Sequence, residues 1–336
     1  MKITDDAGRL ELYFFGPGVG ESIAIRLPSG DWGVVDCYAK SPNAEENVLV
    51  FLKKRGVQKL AFFCLTHPHA DHFSGAHWLL KEYRGKIDRI WRHPGFSTRD
   101  ITMRMLLAGK VKARRFQDTE AEELVDEYAT LLHEIDQAKH ALISDGYRRV
   151  VAPVTLLEGG NFIIRALRPT SFILDEIESH IVRQDASDGF LLLDESEGEL
   201  LNSLSVVLAI EFGKIAVYLL ADAQGAGDRL HHTRDDFTAI KVAHHGSANG
   251  FAAETLVSKG VKFGVITPYL RSQLPRLRMI ERYNEACESL VITGKRPLPR
   301  PKKIVPGLKN ARLTKSDDSW AAISLDEDGD LQEISL

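Results

Sequence analysis

The sequence predicts a layered α/β fold, because strand-like apolar runs alternate with helical segments along the chain. The N-terminal part is rich in such runs, among them LELYFF, WGVVDCY and KLAFFCLTH. Two later runs, SLSVVLAIEF and IAVYLLAD, are separated by a GK turn and indicate a β-hairpin. A helical pattern follows several strands, notably from His72 to Tyr83. This order is typical of two strand-rich βα units packed together.

Length and composition favour one enlarged globular domain. The chain has 336 residues, of which 44% are hydrophobic and 27% charged, values typical of globular proteins and not of disordered or fibrous ones. We expect a domain over residues 1–290. Residues 291–336, a basic Pro-rich segment and a C-terminal β-hairpin, are expected to pack on it as a β extension.

The cysteines, the apolar runs and the net charge indicate where in the cell the protein is expected and how it could bind nucleic acid. Cys37, Cys64 and Cys287 form no CxxC pair, so structural disulfides are not expected. No apolar run reaches the about 18 to 20 residues of a membrane span, and no signal sequence is visible, which favours a cytoplasmic protein without membrane contact. The net charge of -4 leaves any nucleic-acid binding to local basic patches.

A long amphipathic helix is predicted over residues 118–143, where apolar side chains recur at helical spacing. It belongs to a helical insertion over about residues 96–146, which is long for a connection between strands. The insertion would be a lid, a partner surface, a substrate groove or a cover that merely packs over the sheet edge.

The segment THPHADH concentrates metal-binding side chains at a strand end. In extended backbone, His67 and His69 face the same side and can hold one ion, while the following turn lets Asp71 and His72 reach a second ion. Oxygen and nitrogen ligands without cysteine fit Zn²⁺ or Mn²⁺. The alternatives are a histidine-rich surface turn and a single structural metal site.

Two further strands end in candidate ligands. IAVYLLAD delivers Asp222, and AIKVAHHGS delivers His244 and His245. Five of the twelve histidines therefore fall in two short strand-end clusters, which favours a binding site over a random distribution.

The motif HPHADH resembles the HxHxDH motif of the metallo-β-lactamase superfamily. Within it the chain is most similar to the soluble domain of competence-type DNA-internalisation proteins and their stand-alone relatives. The stretches that carry this resemblance are GVGESIAIRLPSG, THPHADHFSGA, NSLSVVLAIEFG, LLADA and KVAHHGS. It implies an αββα sandwich with two metal ions at one edge.

The resemblance also implies a role for each ligand. His67 and His69 would bind one metal, Asp71 and His72 the other, and Asp222 would bridge both. The second metal would also take a histidine of HHGS. We favour His244, which follows the strand immediately, although His245 is a close alternative.

Other residues would support this centre. Asp36 resembles an acidic residue that supports the metal loop, and Ser247 would lie near ligands or substrate. The histidine that is not a ligand, His245 in this assignment, would orient a ligand, touch substrate or protonate the leaving group.

The chain departs from the superfamily pattern at several places. No PGHT-like turn lies between His72 and Asp222, so Asn202, water or substrate would complete the first metal site, with Ser203 nearby. Ala221 stands where a glycine is common. GPGVG lacks the GK[ST] ending and the helix of a phosphate-binding loop, and we interpret it as a turn.

The sequence favours a phosphodiesterase or nuclease in which a hydroxide bridged by two metals attacks phosphorus, with Asp71 orienting the nucleophile. Two basic runs, Lys110 to Arg115 and Lys295 to Lys303, would contact a nucleic acid or nucleotide, unless they are merely solvated loops. The alternatives are a hydrolase of a lactone, thioester or β-lactam, and a binding module that retains the metals for stability.

Overall fold

The computed structural model describes residues 8–44, 47–95, 119–183, 201–224, 237–250, 261–294, 311–313, 320–328 and 331–333. Its sixteen strands are β1 (Leu10–Phe15), β2 (Ser22–Arg26), β3 (Trp32–Cys37), β4 (Leu60–Leu65), β5 (Ile90–Arg92), β6 (Tyr147–Arg149), β7 (Val154–Gly159), β8 (Phe162–Arg168), β9 (Val207–Phe212), β10 (Ile215–Leu219), β11 (Phe237–Lys241), β12 (Val261–Ile266), β13 (Cys287–Ile292), β14 (Ala311–Leu313), β15 (Trp320–Leu325) and β16 (Leu331–Glu333). The α-helices are α1 (Val48–Lys54), α2 (Ala70–Phe73), α3 (Ala76–Glu82), α4 (Thr119–Ala138), α5 (Ser171–Arg183) and α6 (Leu277–Ala286).

The strands form two eight-stranded sheets with helices outside them. The first sheet has the order β16-β15-β1-β2-β3-β4-β5-β6, and the second has β14-β13-β12-β11-β10-β9-β8-β7. A fully buried apolar cluster between the sheets joins side chains such as Leu12, Phe62 and Ile210. Separate clusters lie between each sheet and its helices. The predicted αββα sandwich is confirmed.

Parallel pairing brings many strand ends to one edge of the sandwich. Strands β3 to β6 are parallel to one another, and so are β10 to β14. The two sheets also contact each other at this edge, where the Val206 amide donates to the Thr66 carbonyl at 3.0 Å. The segments that follow β4, β10 and β11 therefore meet there.

The helix predicted from His72 to Tyr83 is two helices instead of one. A break at Gly75, whose φ is 113°, separates α2 from α3. Gly75 also lies so close to Ala39 that a side chain would leave only 2.8 Å to the Ala39 amide nitrogen. Close packing against the loop after β3 thus outweighs the helical pattern.

Helix α4 confirms the long amphipathic helix, and a 3-10 turn at Lys139–Ala141 follows it. Its buried side chains, Val125, Tyr128, Leu131 and Ile135, pack in the cluster that covers the first sheet. The described part of the insertion therefore packs on the sheet. Residues 96–118, which include the basic run Lys110 to Arg115, lie outside the described part of the chain.

The C-terminal β-hairpin is also present, since β15 and β16 are antiparallel. Strand β15 pairs with β1 and so extends the first sheet. The basic segment Lys295 to Lys303 lies outside the described residues. None of the described helices is long and apolar enough to span a membrane, and all three cysteines are buried free thiols.

Candidate metal centre

The HPHADH segment leaves the end of β4 and enters α2. His67 is fully buried in the extended part, while Asp71 and His72 lie in the first helical turn. The rings of His67 and His69 are 4.8 Å apart between centroids, and those of His67 and His72 are 4.1 Å apart. The spacing of the motif therefore gathers its three imidazoles, as expected.

His67, His69 and Asp222 form a first cluster, whose potential ligand atoms all lie within 4.8 Å of one another. The distance from His67 Nε2 to Asp222 Oδ2 is 3.8 Å. Asp222 follows β10 and is buried. Side chains from the two sheets thus combine in one potential cation site.

A second cluster surrounds the other side of Asp222. His72 Nε2 lies 3.4 Å from Asp222 Oδ1 and 3.8 Å from Asp71 Oδ2. His245 Nε2 lies 3.1 Å from Asp71 Oδ2 and 3.6 Å from Asp222 Oδ2. Asp222 therefore lies between the two clusters, where a bridging ligand would be required.

In the HHGS segment, His245 lies in the second cluster, whereas the sequence analysis favoured His244. His245 is buried in the second cluster, whereas His244, with a side chain 19% exposed, lies at the rim with Nε2 3.9 Å from Asp222 Oδ2. Both residues have left-handed backbone, with φ of 48° and 53°. After β11 this left-handed turn thus places His244 at the rim and His245 inside.

Hydrogen bonds to Nδ1 determine which imidazole nitrogen is free. His72 Nδ1 lies 2.7 Å from Asp36 Oδ2, and His245 Nδ1 lies 2.8 Å from the Thr267 carbonyl oxygen. Because both partners only accept, both Nδ1 atoms carry the hydrogen. Nε2, the nitrogen that faces the carboxylates in each case, is then the atom that would bind a metal once its own hydrogen is displaced.

Asp36 and Thr66 also place the hydrogen of His67 on Nδ1. The Thr66 hydroxyl donates to Asp36 at 2.6 Å, so it accepts from His67 Nδ1 at 3.0 Å. Asp36 also accepts the Thr66 amide at 2.8 Å. Asp36 thus accepts three hydrogen bonds from the loop that carries the candidate ligands, and its support of a metal site stays a prediction.

His244 has the opposite tautomer. The Gln224 side-chain amide donates to its Nδ1 at 3.2 Å, which places the hydrogen on Nε2. Its Nε2 is then a donor and not a ligand. Tautomer and burial together favour His245 as the histidine of the second cluster.

A buried ion pair that the sequence analysis missed lies behind the second cluster. Lys241 and Glu21 are both buried and paired with each other. Glu21 also accepts the Thr267 hydroxyl at 2.5 Å and lies 3.5 Å from His245 Nδ1. Since Glu21 is on the Nδ1 side of the imidazoles, it supports the site from behind and does not face the Nε2 atoms. A lysine within the apolar run AIKVA was the feature of the sequence that could have indicated this buried ion pair.

Electrostatics keep the carboxylates of the centre ionised. Burial alone would raise the pKa of Asp71, but the His72 charge and a hydrogen bond from His245 lower it to about 2. Burial likewise opposes ionisation of Asp222, yet His245, His72 and His244 hold its pKa well below the usual value. Burial would lower the pKa of His72, but Asp222, Asp71 and Asp36 raise it well above the usual value. The carboxylates thus attract positive charge to this point.

The donor set fits divalent cations. His67 Nε2, His72 Nε2 and Asp222 Oδ1 are buried without a hydrogen-bond partner. Unpartnered buried polar atoms are costly unless a ligand satisfies them. Nitrogen and oxygen donors without thiolates suit Zn²⁺ or Mn²⁺, and the donor set does not choose between them.

Two residues expected near the centre, Asn202 and Ser247, make no contact with it among the described residues; the third, Ser203, follows Asn202 in the chain. Asn202 is buried with an unpartnered Oδ1. It precedes the segment that runs beside Thr66. The Ser247 hydroxyl donates to the Asn249 side-chain oxygen at 2.5 Å. Asn202, water and substrate are the candidates to complete the first cluster.

The turn assigned to GPGVG packs directly on the metal loop. The Glu21 amide donates to the Asp71 carbonyl at 2.9 Å, and a Cβ on Gly20 would lie 2.7 Å from that oxygen. Strand β2 follows, so no helix N-terminus faces the turn. The segment therefore supports Asp71 and is not a phosphate-binding loop.

Comparison with protein families gives a match over residues 24–152, to the family model described as the metallo-beta-lactamase superfamily. This segment contains His67, His69, Asp71 and His72. The match is to the superfamily as a whole and identifies no branch within it. Comparison with curated protein sequences gives no significant match.

Solved structures align over most of the chain at low identity. A diphosphatase from the PhnP family is 11% identical, covers 98% of each chain and has a TM-score of 0.41. The metallo-beta-lactamase fold protein YhfI from Bacillus subtilis is 13% identical over 97% of this chain and 100% of that chain, with a TM-score of 0.39. Zn²⁺-bound PqqB from Methylobacterium extorquens is 9% identical over 84% and 97%, with a TM-score of 0.42.

Proposed function

We propose that this protein, whose segment 24–152 belongs to the metallo-beta-lactamase superfamily of metal-dependent hydrolases, is a phosphodiesterase or nuclease with a two-metal centre. The observation that carries the proposal is the position of Asp222 between two imidazole clusters. Each cluster presents imidazole Nε2 atoms toward this one carboxylate. Such a donor set suits a pair of ions that share a ligand.

The proposed ligands follow from the contacts. His67, His69 and Asp222 would hold the first ion, and Asp71, His72, His245 and Asp222 the second. When bound, two divalent ions lower the pKa of water toward neutrality and neutralise charge that develops on a phosphate. Asp36, Thr66 and Thr267 orient the imidazoles that hold them.

Two side chains would also act on the reactants. Asp71 is ionised at neutral pH and would orient the nucleophilic water by accepting a hydrogen bond from it. Burial lowers the pKa of His244, so its Nε2–H is a neutral hydrogen-bond donor at the rim. His244 would therefore contact a substrate oxygen, and water would protonate the leaving group.

The phosphodiester substrate is supported by the likeness to competence-type proteins and by the two basic runs of the sequence. A carbonyl substrate, such as a lactone, thioester or β-lactam, is the alternative that the same chemistry allows. A panel of phosphodiesters, single-stranded and double-stranded nucleic acids, esters and lactones separates the two. Turnover of the carbonyl compounds alone would replace the phosphodiesterase proposal.

Metal content is the direct test of the centre. Elemental analysis of the metal-replete protein should give about two ions per chain, and less than one ion would contradict the proposal. Asp222→Ala should lose both ions, because the carboxylate serves both clusters.

Asp71→Ala should abolish hydrolysis with the fold intact, and turnover at the wild-type rate would remove Asp71 from the mechanism.

The adjacent histidines provide a matched pair of variants. His245→Ala should lose the second ion, whereas His244→Ala should retain both and lose affinity for substrate. The reverse result would return the ligand role to His244. Both variants carry the same substitution in the same turn, so a difference between them reports the ligand and not the fold.

A further inference from the structure

Arg92, at the end of β5, is a buried cation without a carboxylate partner among the described residues. Only 6% of the residue is exposed. Its Nε donates to the Tyr147 hydroxyl at 2.8 Å, while one terminal nitrogen is buried without any hydrogen-bond partner. Within the described ranges no carboxylate forms an ion pair with it. Buried guanidinium groups are usually paired, so this one indicates a missing anion.

A second arginine lies beside it on the same face of the sheet. Arg149 in β6 is the register partner of Arg92, and parallel neighbours in register point to the same side. Arg92 and Arg149 both donate to Tyr147; burial would raise the pKa of this phenol, but the two arginines lower it. Two like charges that share one phenol oxygen repel each other unless an anion joins them.

His93 adds a further unsatisfied group. It is buried, its Nε2 lies 3.0 Å from the Tyr128 hydroxyl, and its Nδ1 has no hydrogen-bond partner. Burial raises the pKa of Tyr128 to about 12, so the phenol keeps its hydrogen and can donate to Nε2. Burial, together with Arg92 and Arg149, holds the pKa of His93 well below the usual value. A neutral His93 then offers an Nδ1–H donor.

This group of residues adjoins the metal centre. Arg92 pairs with Leu65 in the sheet, and the His93 amide donates to the Leu65 carbonyl at 2.9 Å. Leu65 precedes His67 by two positions. The arginines and His93 therefore lie one strand away from the loop that carries the first metal cluster.

We propose that Arg92, Arg149 and His93 bind a phosphate of the substrate other than the one that is hydrolysed. The inference rests on the proposed phosphodiesterase function and narrows its substrate to phosphodiesters that carry a second phosphate. Arg149 is exposed and gives the anion access, while Arg92 and His93 supply the buried donors. Guanidinium groups suit phosphate because they form paired, charge-assisted hydrogen bonds.

Binding to metal-free protein tests this site independently of hydrolysis. Pyrophosphate is titrated calorimetrically into chelator-treated wild type, Arg149→Gln, Arg92→Gln and Arg148→Gln. Arg148 is the matched control, because it precedes Arg149 in β6 and points to the opposite face, where it donates to the Thr155 carbonyl. Affinity should fall about tenfold or more in the first two variants, the typical effect of losing a hydrogen bond to a charged group, and stay unchanged in the control.

Equal affinity in all four proteins, or no binding by the wild type, would overturn the proposal. Arg149→Gln is decisive if Arg92→Gln does not fold, because Arg149 is exposed. A second arm compares thymidine 5′-(p-nitrophenyl phosphate) with its 3′-phosphorylated form. Arg149→Gln should raise KM only for the phosphorylated form, and an equal effect on both forms would count against the site. If neither compound is hydrolysed, the phosphodiesterase proposal fails while the binding result stands.

Discussion

At the scale of single residues, the position of one hydrogen atom decides which histidines can be ligands. Acceptors at Nδ1 leave Nε2 as the only ring nitrogen of His67, His72 and His245 that can bind a metal. A donor at Nδ1 has the opposite effect on His244. The hydrogen-bond partners of Nδ1 therefore distinguish the proposed ligand His245 from His244, although the two histidines are adjacent in the sequence.

Asp36 should contribute to metal affinity without touching metal. In Asp36→Ala, His72 and Thr66 lose their acceptor, so His72 is no longer held in the ligand tautomer. We expect about 10- to 100-fold weaker metal binding, the usual effect of losing such a partner. Competition with a chromophoric chelator measures it. Asp31→Ala, which removes an exposed carboxylate bonded only to Ser29, is the control; equal affinities in the two variants would contradict the role.

The strained backbone before Asp222 predicts a difference between two buried alanines. Ala221 has φ of 46°, a region that favours glycine, and this explains why a glycine is common there. Ala223 is also buried but has ordinary backbone. Because glycine relieves strain only at the first position, Ala221→Gly should be more stable than Ala223→Gly by about 1 to 2 kcal/mol. Urea unfolding measures the difference, and equal stabilities would show that the turn is unstrained.

At the scale of elements, each group of proposed ligands follows a strand that ends at the same edge. Strand β4 leads to His67, β10 to Asp222 and β11 to the histidine turn. The Ala221 carbonyl accepts the His244 amide at 2.9 Å, which ties the last two loops together. The site therefore depends on strand register more than on any single loop.

Strand β15 should be essential to the stability of the first sheet. Ile323 is fully buried in the cluster between the sheets and pairs with Leu12 of β1. Ile323→Ala should cost about 2 to 5 kcal/mol of unfolding free energy, as large-to-small core substitutions do. Asp328→Ala removes only an exposed ion pair with Lys214 and should change it by less than about 1 kcal/mol. Similar unfolding curves for both variants would show that β15 is not part of the core.

At the scale of the whole molecule, the net charge of -4 requires a polyanion to be attracted locally. The basic segment Lys295 to Lys303 is our candidate for contact with a nucleic-acid backbone. Arg92 and Arg149 would supply a second, more specific attraction beside the metal centre. Salt dependence distinguishes contact with a nucleic acid from the mere presence of positive charge.

Neutralising Arg300, Lys302 and Lys303 together should weaken binding of a single strand chiefly at low salt. Each lost phosphate contact should reduce the slope of log affinity against log salt by roughly 0.7, because fewer counterions are released. Fluorescence anisotropy at several salt concentrations measures the slope. Metal content and hydrolysis of a small chromogenic phosphodiester should not change. If the slope does not change, the segment makes no phosphate contacts and is only a solvated loop.

The sequence was sufficient to predict the layered α/β fold and the residues that gather at its edge, and the family resemblance implied the sandwich. Alternating apolar runs specify strands, and THPHADH places four ligand-type side chains at one strand end, where the structure gathers them. Asp222 and the HHGS pair were found in the same way, as polar residues that end apolar strands. These features are local, so spacing along the chain is enough to reveal them.

Tertiary structure decided what depends on contacts between distant residues. The left-handed turn that buries His245 and exposes His244 is held by bonds to Ala221 and Thr267, which strand periodicity does not encode. The Glu21–Lys241 pair joins β11 to a turn before β2, and the alignment of Arg92 with Arg149 arises from strands more than fifty residues apart. Sequence patterns report which face of an element is apolar, whereas packing of the two sheets determines which polar groups meet.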